Sequence, residues 1–67
     1  MNSIPETTRW LIWSIEHNSW WRPNENGYTP HRLEAGRYTF DKAINIVTWA
    51  NRFNPSKPLE AMVMDEN

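Results

Sequence analysis

Four of the five tryptophans in this 67-residue chain lie between Trp10 and Trp21, and that crowding constrains the fold more than any other feature. Tryptophan is the largest apolar side chain, and each indole carries an N–H that wants an acceptor when buried. A domain of this size buries only about 60% of the surface its unfolded chain exposes, so it has little interior to share among them. Some indoles are therefore expected at the surface, as recognition elements. The chain has no cysteine, so neither disulfides nor thiolate metal ligands can staple it. Stability must come from the aromatic core, from self-association, or from both.

The formal charge of −1 gives no net attraction to phosphate, which argues against a duplex-DNA binder, and it is too mild for an acidic nucleic-acid mimic. No apolar run approaches the roughly 20 residues that span a bilayer, and no signal-peptide pattern opens the chain. The expectation is a single soluble domain over residues 1–67, cytoplasmic, with no membrane partner.

Residues 1–8 are polar, contain Pro5 and read as a loose lead-in. Trp10 to Ile15 is a nearly continuous aromatic and β-branched run without a helix-start signal, which predicts a strand near 9–16. His17-Asn18-Ser19 breaks it, and Trp20-Trp21-Arg22 predicts a returning strand near 20–22. Pro23 and Asn24-Glu25-Asn26-Gly27 then supply turn chemistry, with Gly27 free to take positive φ. A short helical turn is expected next, with Thr29 as N-cap, Pro30 in the first position and Gly36 as the left-handed residue past its end.

Thr39 caps the main helix, predicted near 40–53, with Asp41 complementing the dipole in its first turn. Phe40, Ala43, Ile44, Val47 and Ala50 define its expected core stripe, and Asn54-Pro55 stops it. Period-two alternation from Leu59 to Met64 predicts a last strand. The fold class is α+β: a three-stranded antiparallel sheet in order 2-1-3, one main helix on one face, β-β-α-β.

If His17-Asn18-Ser19 is the whole hairpin loop, Glu16 faces Trp20, Ile15 faces Trp21, and Ser14 faces Arg22. Leu11, Trp13, Ile15 and Trp21 then point at the helix, and Trp10, Ile12, Ser14, Trp20 and Arg22 point away. A two-residue turn instead sets Arg22 opposite Ile15 on the core side, which is unfavourable without a partner for the arginine. The first register puts Trp13, Ile15, Trp21, Phe40, Ile44, Val47 and Val63 at the buried centre. Its outward face, with Trp10, Ile12, Trp20 and Arg22, is either an interaction surface or is covered by the lead-in or the Asn24–Arg37 excursion. Opposite the helix stripe, Ile46, Trp49 and Phe53 form a second apolar row at i, i+3, i+7. It is either a self-association or partner face, or is covered by the Pro55–Pro58 connection.

Chemistry-bearing motifs are sparse. Glu16 and His17 are adjacent on a strand and point to opposite faces, and His31 stands apart. Two histidines without cysteine do not make a zinc set, and Ser14 and Ser19 lack a glycine-flanked elbow. Gly27 and Gly36 are isolated, so no phosphate loop exists. No catalytic residue, metal or cofactor is expected. Arg9, Arg22, Arg32 and Arg37 alternate with Glu6, Glu16, Glu25 and Glu34, a pattern of solvated surface.

Trp13-Ser14, Glu16-His17, Trp20-Trp21, Pro23-Asn24, Gly27-Tyr28-Thr29 and Ala35-Gly36-Arg37-Tyr38-Thr39 together resemble a pattern in short phage- and prophage-encoded proteins. The resemblance covers residues 13–39 and implies a small accessory protein of a bacterial virus or integrated element, resident in the host cytoplasm. It carries no catalytic or binding residue with it. The expected function is non-enzymatic binding of a host protein, a host-defence factor among the options, through Trp10, Ile12, Trp20, Arg22, Ile46, Trp49 and Phe53. The alternative is stacking of a nucleotide or short single strand on Trp10 and Trp20. A two-fold homodimer is the simplest way to cover one of the two apolar surfaces.

Overall fold

The computed structural model describes residues 4–54 and 56–66. Its regular elements are β1 (Trp10–Ser14), β2 (Ser19–Trp21), β3 (Tyr28–Thr29), α1 (Phe40–Ala50) and β4 (Glu60–Met64), with single 3-10 turns at Pro23–Glu25 and Arg32–Glu34. The fold is α+β with one α-helix and an antiparallel sheet, as expected, but the sheet has four strands in the order β3-β2-β1-β4, not three. The extra strand is two residues long and follows Gly27, whose φ of 90° reverses the chain. The Arg22 N–H donates to the Gly27 carbonyl (2.8 Å), closing the β2–β3 connection. Two residues between a glycine and a proline carry no periodicity, which is why β3 left no sequence signal.

The hairpin register differs from expectation and inverts the faces. Trp13 pairs with Trp20 and Ser14 with Ser19, so the loop is Ile15–Asn18 rather than three residues. Asn18 takes φ 53°, a left-handed conformation that asparagine tolerates better than most residues. The Ser14 hydroxyl accepts the His17 backbone N–H (3.1 Å), and the Ser19 hydroxyl donates to the His17 carbonyl (3.3 Å). Relative to the expected pairing the strands have slipped by an odd number of residues, which turns every β2 side chain over against β1.

Even-numbered residues of β1 therefore face the helix. Ile12 is fully buried in a core with Tyr38, Ala43 and Ile46, against which Trp10, Trp21, Val47 and Met62 pack. Of the expected centre, Trp21 and Val47 are retained, whereas Ile15, Phe40 and Ile44 are exposed. Trp13 and Val63 are half-buried on the opposite face, where β1 and β4 pair Leu11 with Val63. The helix is rotated from its expected setting: Ala43, Ile46, Val47 and Ala50 at i, i+3, i+4, i+7 turn inward. Its Thr39 cap forms as expected, accepting the Lys42 N–H at 3.2 Å. It ends at Ala50, short of the expected 53, because Asn51 leaves helical geometry to bind the start of β4. The expected Asn54-Pro55 stop thus lies past the end, with Pro55 outside the described residues, as are residues 1–3 of the expected lead-in.

The segment between β3 and α1 covers part of the second face. Thr29 does not cap a helix at the next residue; it lies in β3, accepts the His31 N–H (3.1 Å) and donates to Glu34 (2.7 Å). Arg32 lies 5.5 Å over the Trp20 ring, and Arg37 reaches Asp65 just past β4 (3.1 Å). Gly36 is not left-handed; its role is space, since a Cβ there would meet the Tyr38 ring at 2.7 Å. The Gly36 N–H donates to the Trp21 carbonyl (2.8 Å), and Tyr38 bridges Trp10 where β2 has ended. The Tyr38 hydroxyl donates to the Arg22 carbonyl and accepts the Glu25 N–H (3.0 Å), holding the turn in which Asn24 and Glu25 both have positive φ.

Candidate functional site

The turn of α1 that buries Ile46 carries Trp49 outward. Trp49 is 66% exposed and Phe53 84% exposed, so among the described residues the connection to β4 does not fold back over them. Between them the Arg52 guanidinium lies 3.4 Å from the Trp49 ring centre and 4.2 Å from that of Phe53. It also donates to the Trp49 carbonyl at 2.6 Å, one of the carbonyls a helix end leaves without an intrahelical partner. The helix end is anchored behind this cluster. Asn51 Oδ1 accepts the N–H groups of Leu59 (2.7 Å) and Glu60 (3.1 Å), and its Nδ2 donates to the Glu60 carbonyl (3.0 Å). An exposed aromatic–arginine–aromatic layer thus stands on a fixed base.

Charge sorts toward the same end. Residues 42–59 contain Lys42, Arg52 and Lys57 and no acid. Lys42 pairs with Glu25 (2.9 Å), while Arg52 and Lys57 have no ion pair among the described residues.

The seven residues expected to form a partner surface do not come together. Ile12 and Ile46 are core residues, a correction that follows from the inverted sheet face and the rotated helix. Trp10 faces the helix rather than away from it and meets Phe40 edge-on with centroids 5.7 Å apart. It also lines a mainly apolar cavity of about 340 Å³ with Ile4, Pro5, Glu6, Thr8 and Phe40. Trp20 does lie on the face away from the helix, but half-buried, edge-on to Trp13 at 4.7 Å and beneath Arg32. Arg22 is half-buried and pairs with Glu34 at 3.4 Å. Trp49 and Phe53 alone combine high exposure with adjacency.

A second constellation joins Ser14, His17, Trp21, Tyr28 and Glu60. The Glu60 carboxylate is buried and accepts the Trp21 indole N–H at 2.8 Å. Burial pushes its pKa up, opposed by the hydrogen bonds from Trp21 and Ser14 and by the nearby His17. His17 Nδ1 lies 3.0 Å from the Ser14 hydroxyl, and its ring stacks on Tyr28 at 4.0 Å. The Ser14 hydroxyl thus meets both the ring and the backbone N–H of His17, and the β1–β4 register sets Ser14 opposite Glu60. Ser14 is fully buried where the start of the hairpin turn meets β4. Sequence reading missed Glu60 because its partners lie up to 46 positions away and depend on the register of β1 with β4.

Among the described residues no group of three His, Cys, Asp or Glu side chains could hold a metal ion, and no helix is long and apolar enough to cross a membrane. No family model, curated protein or solved structure matches the chain.

Proposed function

We propose that this chain is a non-enzymatic binding module of a phage or prophage, acting on a host protein through the aromatic end of α1. The observation that carries the reading is the Trp49–Arg52–Phe53 layer, exposed on a base held by Asn51. Tryptophan and arginine dominate the energetics of protein interfaces, and aromatics are enriched there. Exposed to water these rings add little to folding, whereas their burial against a partner releases that apolar surface. At this end Arg52 and Lys57, without ion pairs among the described residues, favour a partner with carboxylates around an apolar patch. A host-defence factor is one such class, and the host cytoplasm is then the site of action. The likeness of residues 13–39 to short phage proteins supports the biological setting.

The test is affinity capture from bacterial lysate with the wild type, a Trp49→Ala/Phe53→Ala variant and a Trp20→Ala control. A host protein retained by the wild type and the control and lost by the double variant is the expected result. Equal capture by all three would remove the helix end from the reading.

A second reading has its own support. Two exposed rings beside two cations, in a stretch without acid, also match the chemistry that stacks nucleobases and meets phosphate. Titration with mononucleotides and short single strands would then quench Trp49 fluorescence, and Trp49→Ala would abolish the change. Under the host-protein reading the fluorescence stays flat.

A further inference from the structure

The outer face of α1 is complementary to itself when reversed. Asp41, Asn45 and Thr48 run along its centre at i, i+4, i+7, directly opposite the buried line of Ala43, Ile46, Val47 and Ala50; Arg52 follows at i+11 in the turn just past the helix end, and all four are exposed. This four-three-four spacing is that of a seam between two packed helices. An acid stands at one end, a cation at the other, and an amide and a hydroxyl lie between. Apolar side chains flank the line at both ends: Phe40 and Ile44 toward the N-terminus, Trp49 and Phe53 toward the C-terminus, all exposed.

From this we infer that the outer face of α1 pairs with the same face of a second copy, antiparallel about a two-fold axis, with Asp41 of each copy against Arg52 of the other. The orientation follows from charge. A parallel pair would set Asp41 against Asp41 and Arg52 against Arg52, whereas the antiparallel pair makes the attractive contact twice. It also sets the two helix dipoles in opposition, which is favourable for neighbours side by side. The other charges near the seam do not oppose it. Lys42 is engaged by Glu25, Glu6 lies beside Phe40 and Asp41 and adds to the acidic end, and Lys57 adds to the cationic end. Among the described residues Arg52 has no carboxylate within its own chain, so the contact displaces no existing ion pair. The flanking rings supply apolar burial and the ion pairs supply register.

The pairing uses the helix end assigned above to a host protein, so the two associations compete. It is tested on the purified chain alone, and its failure is therefore distinct from failure of the host-protein reading. The experiment is sedimentation or light scattering over a concentration series with the wild type, Asp41→Arg, Arg52→Asp and the double reversal, each checked for folding by circular dichroism. The wild-type mass should rise from monomer to dimer through the micromolar range, and more weakly at high salt. Each single reversal creates two like-charge contacts and should abolish the rise. An equimolar mixture of the two single variants should dimerise, because each supplies what the other lacks, and the double reversal should dimerise alone. A wild type that stays monomeric, single reversals that leave the mass unchanged, or folded variants that restore no dimer on mixing would each overturn the proposal.

Discussion

The tryptophans of the sheet and the tryptophan of the helix are put to opposite uses. Trp10, Trp13, Trp20 and Trp21 are half-buried, each with an assigned neighbour: Phe40, Trp20, Arg32 and Glu60 respectively. Trp49 stands two-thirds exposed, touched on one ring face by Arg52. The sheet indoles are held by strand pairing from both sides, so their contacts belong to the fold. Trp49 sits on a side of α1 that no strand covers among the described residues. Residue type says that an aromatic is present; which side of the element carries it says whether it stabilises the domain or waits for a partner.

The comparison breaks first at Trp21. Replacing it with alanine removes an indole packed against the core and takes the indole N–H from the buried Glu60 carboxylate. The expected loss is about 3–5 kcal/mol, which approaches the whole stability of a domain this small. Chemical denaturation followed by circular dichroism measures it, and a variant as stable as the wild type would mean that the indole is dispensable to the core. Next in size is Gly36→Ala, which drives a methyl group into the Tyr38 ring beside the end of β2. Overpacking of this kind is worth about 1–3 kcal/mol, read as a lowered Tm. An unchanged Tm would show that the ring moves aside freely and that the excursion is not clamped there.

The Glu60 site sharpens the comparison through pH. Its pKa is raised by burial, so the folded protein binds this proton more tightly than the unfolded chain does. The contribution is present in full below the unfolded carboxyl value and is lost as pH rises through the higher folded value. Glu60→Gln keeps an acceptor for Trp21 without the charge. It should be more stable than the wild type at pH 7, with the difference shrinking as the pH is lowered toward 4. A difference that grows on acidification would reverse the assignment. The smallest effect is expected at the helix end: Trp49→Ala and Phe53→Ala should each change stability by no more than about 0.5 kcal/mol. A Tm loss as large as that of Trp21→Ala would make Trp49 a structural residue and erase the contrast.

Local chemistry was legible from composition and spacing. Thr39 caps the helix, Gly27 turns the chain at positive φ, and the runs around residues 10–14, 19–21 and 60–64 form strands. Each depends on a few neighbouring residues whose dihedral preferences do not need the rest of the chain. Which face of each element lies inward was not legible. The turn at Ser14–Ser19 admits an odd-numbered slip that inverts the sheet, and its outcome rests on Ser14 meeting both His17 and a Glu60 that arrives last in the chain. The helix likewise carries apolar residues on two sides, Phe40 and Ile44 on one and Ile46 on the other, and a hydrophobic count is nearly blind between them. Packing distinguishes them, because Ala43 fits the close approach to the sheet and draws Ile46 and Val47 in with it. Side-chain identity along the chain thus set the elements. Their facing, and with it the exposure of Trp49 and Phe53, depended on contacts between residues distant in sequence, since period-two and period-3.6 patterns specify that a face is apolar and not what it will meet.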